Sequence, residues 1–236
     1  MGFYNTGRVF HLVFLIILLS FNSKLSYSEV NKIKSVFFHG QNYYISIPNG
    51  YCDISDTATG KILSNHIKAA QKNIKIKTPE VKLIFANCDY KLGDLYPCGY
   101  IGMLIKEQNF SQKLYNEVVS KLFSNKNLMQ DLSEITNKAL DKSMNTLYGE
   151  NRANSDTIQK PEIIYKDNFS VIFRSFNSGN FDGEFIKEVV VGSSTVLRES
   201  IINTYITNEF GKEPNSFYLA GSLIENSKIN YNLSLD

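Results

Sequence analysis

Apolar positions in the first half of the chain follow two different periods. An aromatic and β-branched stretch from 34 to 48, interrupted at Gly40, predicts a β-hairpin. Apolar residues three and four apart predict a helix over about 59–71. Two apolar runs next to turn residues predict strands over 81–86 and 100–105.

The middle of the chain returns to the helical period. Ser111 is a favourable N-cap, and the helix after it carries four apolar residues on one face: Leu114, Val118, Leu122 and Phe123. A second helix is predicted from near 127 to 147. The polar stretch 149–160 predicts an exposed loop.

The last third alternates again and then ends in a helix. The predicted strands are 163–165, 169–174, 185–191, 195–197 and 201–206. Gly179-Asn180 and Gly192-Ser193 are predicted hairpin turns. Pro214 is predicted to open a final helix with an apolar face of Phe217, Ala220, Leu223 and Ile224. Strands joined by tight turns, with helices in the middle and at the end, predict an α+β fold: a mainly antiparallel sheet flanked by helices.

The N-terminus is typical of a secretory signal peptide. Arg8 precedes an unbroken apolar run, 12–19, and small residues follow it. The run is about half of the roughly 20 residues that a membrane-spanning helix needs. Cleavage is predicted after Ser28, leaving 29–236 as a single α+β domain in the periplasm or outside the cell. An uncleaved membrane anchor is the alternative.

The near-neutral charge of the mature domain argues against two classes of partner, nucleic acids and anionic membranes. The chain has 25 Lys and Arg against 23 Asp and Glu, and the predicted signal removes Arg8 and Lys24, so the mature domain is close to neutral. A nucleic-acid partner would require a surplus of positive charge. Strong attraction to an anionic membrane would require the same. The absence of a second long apolar run predicts that the mature domain does not span a membrane.

Three cysteines remain after the signal, and in an oxidising compartment two can pair. Cys88 and Cys98 flank a loop rich in turn residues, and closing that loop would contribute about 2–3 kcal/mol. Cys52 and Cys88 are the competing pair, because each directly follows a predicted strand. The sequence leaves both pairings open.

Few residues of the sequence support a catalytic function. Cys52 beside His66 or His39 could form a thiolate–imidazolium pair, but extracytoplasmic cysteines usually form disulfides. No motif typical of a serine nucleophile or a metal site occurs, and no cofactor is indicated. The acidic pairs Asp53/Asp56 and Asp89/Asp94 fall in turns, where Asp is expected as a capping or turn residue.

The high aromatic content gives one candidate for a binding surface. The chain has 14 Tyr and 16 Phe and no Trp. Aromatic side chains can line a ligand pocket or a partner surface. Five tyrosines are predicted to form an exposed cluster near the cysteine loop: Tyr43, Tyr44, Tyr90, Tyr96 and Tyr100.

Two short segments carry a resemblance. The turn Pro48-Asn49-Gly50-Tyr51-Cys52 and the later segment Ala86-Asn87-Cys88-Asp89 are similar to secreted bacterial proteins of unknown function that have a Pro-x-Gly-Tyr-Cys turn. The order of elements around them resembles that of Mog1/PsbP-like domains. The resemblance implies a small α/β/α sandwich that binds or scaffolds, and it transfers no catalytic residue.

The leading hypothesis is therefore an exported, non-catalytic binding or accessory protein of the bacterial cell envelope, with another envelope protein as its partner. The alternative is a secreted enzyme that uses a cysteine or a carboxylate in the region of Cys52 and Cys88–Cys98.

Overall fold

The computed structural model of the protein describes residues 33–72, 77–89, 96–148, 153–158, 161–181 and 183–234. The strands in these ranges are β1 (Ile33–Phe38), β2 (Gln41–Ser46), β3 (Tyr51–Asp53), β4 (Glu80–Asn87), β5 (Cys98–Ile105), β6 (Ala153–Ile158), β7 (Glu162–Lys166), β8 (Val171–Phe181), β9 (Glu184–Val196) and β10 (Ser200–Glu209). The helices there are α1 (Ala58–Lys72), α2 (Gln112–Ser124), α3 (Lys126–Tyr148) and α4 (Ser216–Leu233).

Strands β3 to β10 form one antiparallel sheet, and β1 and β2 form a separate hairpin. Neighbouring strands follow the order β3–β4–β5–β10–β9–β8–β6, and β7 also pairs with β8. Strand β10 lies near the middle of this order and is buried along most of its length, as expected for a strand covered on both faces. The predicted α+β class, a mainly antiparallel sheet flanked by helices, is confirmed.

One face of the sheet, called the apolar face here, holds the main core. Its side chains alternate along each strand, so that Phe85, Ile206 and Val191 point to the same side. Helix α4 covers this face with Leu219 and Leu223. The β1–β2 hairpin adds Val36, Phe38, Tyr43 and Ile45 to the same core. Each fully buried aliphatic side chain contributes about 1.5–3 kcal/mol relative to leaving it exposed.

The opposite face, called the polar face, is covered by α1 and α2. Under α1 a small apolar cluster forms from Ile54, Val81, Ile84 and Ala86. Under α2 the Phe123 ring packs against Phe173 with centroids 6.0 Å apart, and buried polar groups are hydrogen-bonded. Gln112 bonds to the backbone of β9, and Ser194 donates to Asn203 at 2.6 Å. Hydrogen bonding offsets the desolvation cost of these buried groups, so the two faces are stabilised by different interactions.

Several predicted boundaries in the second half are wrong. Strand β6 lies inside 149–160, which was predicted to be a loop. Gly179-Asn180 lies within β8 and Gly192-Ser193 within β9, so neither forms the predicted turn. The connection between β8 and β9 contains Gly183 at φ 84°, a backbone conformation that glycine adopts at no steric cost.

The predicted signal peptide, residues 1–28, lies outside the described residues, so cleavage after Ser28 stays a prediction. The single domain over 29–236 likewise stays a prediction. Among the helices that the structure describes, none is long and apolar enough to cross a membrane.

Candidate functional site

The structure contains one of the two disulfide pairings that the sequence left open. Cys52 on β3 and Cys88, just after β4, form a disulfide with their Cα atoms 4.9 Å apart. Cys98 is the cysteine left free, so the Cys88–Cys98 bond is not formed. Desolvation, followed by the charge of Glu188, raises the pKa of the Cys98 thiol to about 12. At neutral pH that thiol is protonated and a poor nucleophile.

Among the remaining polar candidates of the cysteine region, Asp53 has structural partners. Asp53 accepts a hydrogen bond from the backbone of Ser55 at 2.9 Å and pairs with Lys34 at 3.2 Å. Burial lowers the pKa of His66, and Cys52, its proposed thiolate partner, is already disulfide-bonded. Asp94 lies outside the described residues. The described part of the chain contains no group of three side chains suited to hold a metal ion.

The five predicted tyrosines do not form one exposed cluster. Tyr43 is buried, and its hydroxyl accepts a 2.9 Å hydrogen bond from Ser200. Tyr44, on the same hairpin, is exposed. Tyr100 lies on the polar face of β5, and Tyr90 falls outside the described residues. Binding through the exposed Tyr44 stays a prediction.

Tyr100 belongs to a row of aromatic rings on the polar face. Its ring stacks on Tyr205 with centroids 4.7 Å apart, and Tyr205 meets Phe173 edge to face at 5.8 Å. Gly192 lies between Tyr205 and Phe173 in the strand register, and a side chain there would overlap the Phe173 ring. Burial raises the pKa of both tyrosines, which keeps their phenols protonated. This row is a packing feature.

A buried acid lies near Cys98 on the polar face. The Tyr96 hydroxyl donates to the carboxylate of Glu188 on β9. Desolvation raises the pKa of Glu188, and the hydrogen bond from Tyr96 partly opposes that shift. Asn177 is the cross-strand neighbour of Glu188 on β8. Tyr96 was among the tyrosines predicted from the sequence, but Glu188 was not predicted to belong to a site. The signal that could have identified Glu188 is its charge within an almost continuous apolar strand.

The most distinctive surface lies beside the N-terminus of α4, where β8 and β9 extend past the helix. We call it the aromatic patch. It consists of Arg174, Phe176, Phe185, Lys187, Phe210, Phe217 and Tyr218. Four of its rings, those of Phe185, Phe210, Phe217 and Tyr218, are between 53% and 73% exposed. Phe217 was predicted to belong to the apolar core face of the final helix, and that prediction is wrong.

Contacts between rings and cations join Arg174, Phe176, Phe210 and Phe217 into one chain, and Lys187 and Phe185 form a separate pair. The Phe176 and Phe210 rings meet edge to face with centroids 5.6 Å apart. The Arg174 guanidinium lies 5.1 Å from the centre of the Phe176 ring and 5.4 Å from that of Phe217. Lys187 lies over Phe185 at 5.4 Å. Such cation–π contacts hold exposed rings in place without burying them.

Local structure fixes the exposed pair on α4. Asn215 is the N-cap, and its side chain accepts hydrogen bonds from the backbone of Phe217 and Tyr218 at 3.2 Å each. The helix begins at Ser216, two residues after the predicted start at Pro214. The cap therefore holds both aromatic residues on the first turn of the helix.

Comparison with known proteins adds little. No family model matches the chain, and no curated protein matches it. Among solved structures, the chain is similar to cyanobacterial PsbP (CyanoP) from Synechocystis sp. PCC 6803, with 11% sequence identity, a TM-score of 0.38, and coverage of 89% of this chain and 97% of that one. A similarity at this level does not assign the chain to the PsbP group.

Proposed function

We propose that this is an exported, non-catalytic binding or accessory protein of the bacterial cell envelope that recognises another protein through the aromatic patch. The observation that carries the proposal is the chain of contacts that joins exposed Phe210 and Phe217 through Phe176 and Arg174. Scattered exposed apolar residues are ordinary, whereas a contiguous exposed patch usually marks an interaction surface. Tyr and Arg are also enriched among the residues that dominate binding energy at protein interfaces.

Export is supported by two independent observations. The N-terminal sequence has the order of charge, apolar run and small residues of a signal peptide. The Cys52–Cys88 disulfide is the kind of bond that persists in oxidising compartments and is rare in the cytosol. We expect the protein in the periplasmic or extracellular fraction, with this bond formed.

The contacts of the cysteines and acids argue against a thiol nucleophile more strongly than against a catalytic carboxylate. Cys52 has no thiol while it is bonded to Cys88, and Cys98 has a raised pKa. The Glu188 carboxyl remains, but it is bonded to Tyr96 within the packed polar face. A binding surface therefore has the stronger support.

The partner should present an apolar segment with a carboxylate beside it. The exposed rings provide the apolar contact, and Lys187 provides a cation over Phe185. Arg174 is already paired with Glu162, at 2.9 Å from its Nε atom. Lys187 is therefore the better candidate for a new charge pair, and Phe217 and Tyr218 are the candidate anchors.

Site-specific photocrosslinking in intact cells tests this proposal. A photoreactive residue at Phe217 should give one discrete adduct with an envelope protein, and Tyr218→Ser should reduce its yield. The matched control is Phe37, a similarly exposed ring on β1 outside the patch. Identical adducts at both positions, or none at Phe217 in correctly exported protein, would contradict the proposal.

A further inference from the structure

Helix α2 exposes one stripe of apolar side chains. Of the four residues that the sequence placed on one face, Leu114, Val118 and Leu122 form this stripe and are between 38% and 55% exposed. The fourth, Phe123, is half-buried and packs against Phe173. Gln112 and Asn116, which are polar, are the buried residues of the helix. The stripe is therefore left outside the core, whereas an amphipathic helix usually buries its apolar stripe.

Specific hydrogen bonds fix this orientation. The Gln112 side chain accepts from the backbone of Val196 at 2.6 Å and donates to the carbonyl of Ser194. It also donates to the side-chain oxygen of Asn116 at 2.8 Å, and Asn116 donates to the carbonyl of Asp167 at 2.7 Å. Rotating the helix to bury the stripe would leave these groups unpaired, which is costly in a protein interior.

The outward stripe has a spacing that suits a second helix. Its three residues are separated by four positions each, which forms a straight ridge on the helix surface. Ridges of this spacing on two helices interdigitate at a crossing angle of about −50°, the commonest class of helix packing. A second copy of this chain presents an apolar ridge of this spacing to the first.

Charges beside the stripe also complement a second copy. Lys113, Glu117 and Lys121 follow one edge of the stripe, and all three are exposed. In an antiparallel two-fold pair centred on Val118, the same edges of the two helices meet. Each Glu117 then lies beside the Lys121 of its mate, and the contact is made twice because the interface is two-fold symmetric.

We infer that the protein forms a two-fold symmetric homodimer through the outward stripe of α2. The contact area of one helix face is at the small end for protein interfaces, so association should be weak and concentration-dependent. Because α2 lies on the polar face of the sheet and the aromatic patch on the apolar face, the dimer would leave both patches free. The inference goes beyond the proposed function and does not depend on it.

Sedimentation of the full mature chain over a concentration series from about 1 µM to about 1 mM, where interfaces of this size associate, tests the inference. We expect a reversible shift from monomer to dimer in the native protein. Val118→Asp should remove it, because two carboxylates would be buried without partners. A native chain that stays monomeric throughout, or Val118→Asp dimers as abundant as native ones, would overturn the inference.

Charge reversal tests the pairing itself. Glu117→Lys should weaken the dimer at least tenfold, Lys121→Glu should do the same, and the double variant should recover most of the native affinity. The matched control is Glu225→Lys on the exposed side of α4, which should leave the dimer unchanged. If each single reversal weakens the dimer while the folded double variant does not restore it, the two-fold arrangement is wrong.

Discussion

The two faces of the central sheet differ in what holds their covering elements in place. On the apolar face, α4 and the β1–β2 hairpin are held by buried aliphatic and aromatic side chains. On the polar face, α2 is held by directional hydrogen bonds from Gln112 and Asn116 as well as by one ring contact, between Phe123 and Phe173. Apolar contacts act through area and tolerate small shifts, whereas hydrogen bonds fix an orientation. The polar face can therefore hold a helix whose apolar stripe points outward.

The largest effect is expected in the centre of the apolar face. Leu223 on α4 is completely buried, so Leu223→Ala should lower the free energy of unfolding by about 2–5 kcal/mol through lost burial and a cavity. Leu122→Ala, the same change on the outward stripe of α2, should alter it by less than about 0.5 kcal/mol in dilute protein. Urea unfolding measures both changes. Equal losses of unfolding free energy in the two variants would contradict the difference between the faces.

The aromatic row on the polar face should resist added volume. Gly192→Ala places a methyl group against the Phe173 ring, and overpacking of this kind costs about 1–3 kcal/mol. The matched control is Gly221→Ala on α4, where an added methyl meets open space. That change should raise stability by roughly 0.5–1 kcal/mol, because glycine weakens a helix interior. Thermal unfolding distinguishes the two, and a neutral Gly192→Ala would show that the row is loosely packed.

The sequence predicted the first half of the fold better than the second. The hairpin, α1 and β4 follow regular apolar periods and are found where predicted. The turn at Gly192-Ser193 was wrong because that glycine serves ring packing inside a long strand. A local sequence pattern does not distinguish a glycine in a turn from one that makes room for a ring on the adjacent strand.

The surfaces were harder to predict than the strands. Phe217 has helical spacing with Ala220 and Ile224, yet it lies on the first turn of α4 and is exposed. The stripe of α2 likewise has the spacing of a core face. The direction of the stripe is set by long-range hydrogen bonds from Gln112 to β9, 82 and 84 residues away in sequence. A local sequence period cannot predict bonds over such a distance.

Removing one of those long-range bonds should have an intermediate effect. Gln112→Ala leaves the buried N–H of Val196 without its side-chain acceptor, a loss of about 1–3 kcal/mol. Gln130→Ala, on an exposed position of α3, is the matched control and should be near neutral. Hydrogen exchange at Val196 should accelerate in the first variant alone. If it does not, the bond does not anchor α2.

The smallest effect is a pH dependence from Glu188. Folding raises the pKa of this carboxyl above its ordinary 4.5, so the folded state keeps the proton to higher pH than the unfolded chain. Its contribution to stability is present below the ordinary pKa and is lost as pH rises through the folded pKa. The side chain at position 188 cannot titrate in Glu188→Gln. The free energy of unfolding of this variant, relative to that of the native protein, should therefore increase as pH rises through that window. Unfolding at a series of pH values measures this, with exposed Glu199→Gln as the control; a constant difference would mean that burial does not perturb Glu188.

The outward orientation of the α2 stripe is tested most directly by thiol alkylation of Val118→Cys in dilute native protein. Cys98, which is half-buried and has a thiol pKa raised to about 12, provides a slowly reacting internal reference, and the Cys52–Cys88 disulfide stays unlabelled without reductant. The structure predicts one fast alkylation, at position 118, and a second only after unfolding, at Cys98. If the thiol at 118 reacts as slowly as Cys98, the stripe faces the core, and both the contrast between the faces and the inferred dimer are wrong.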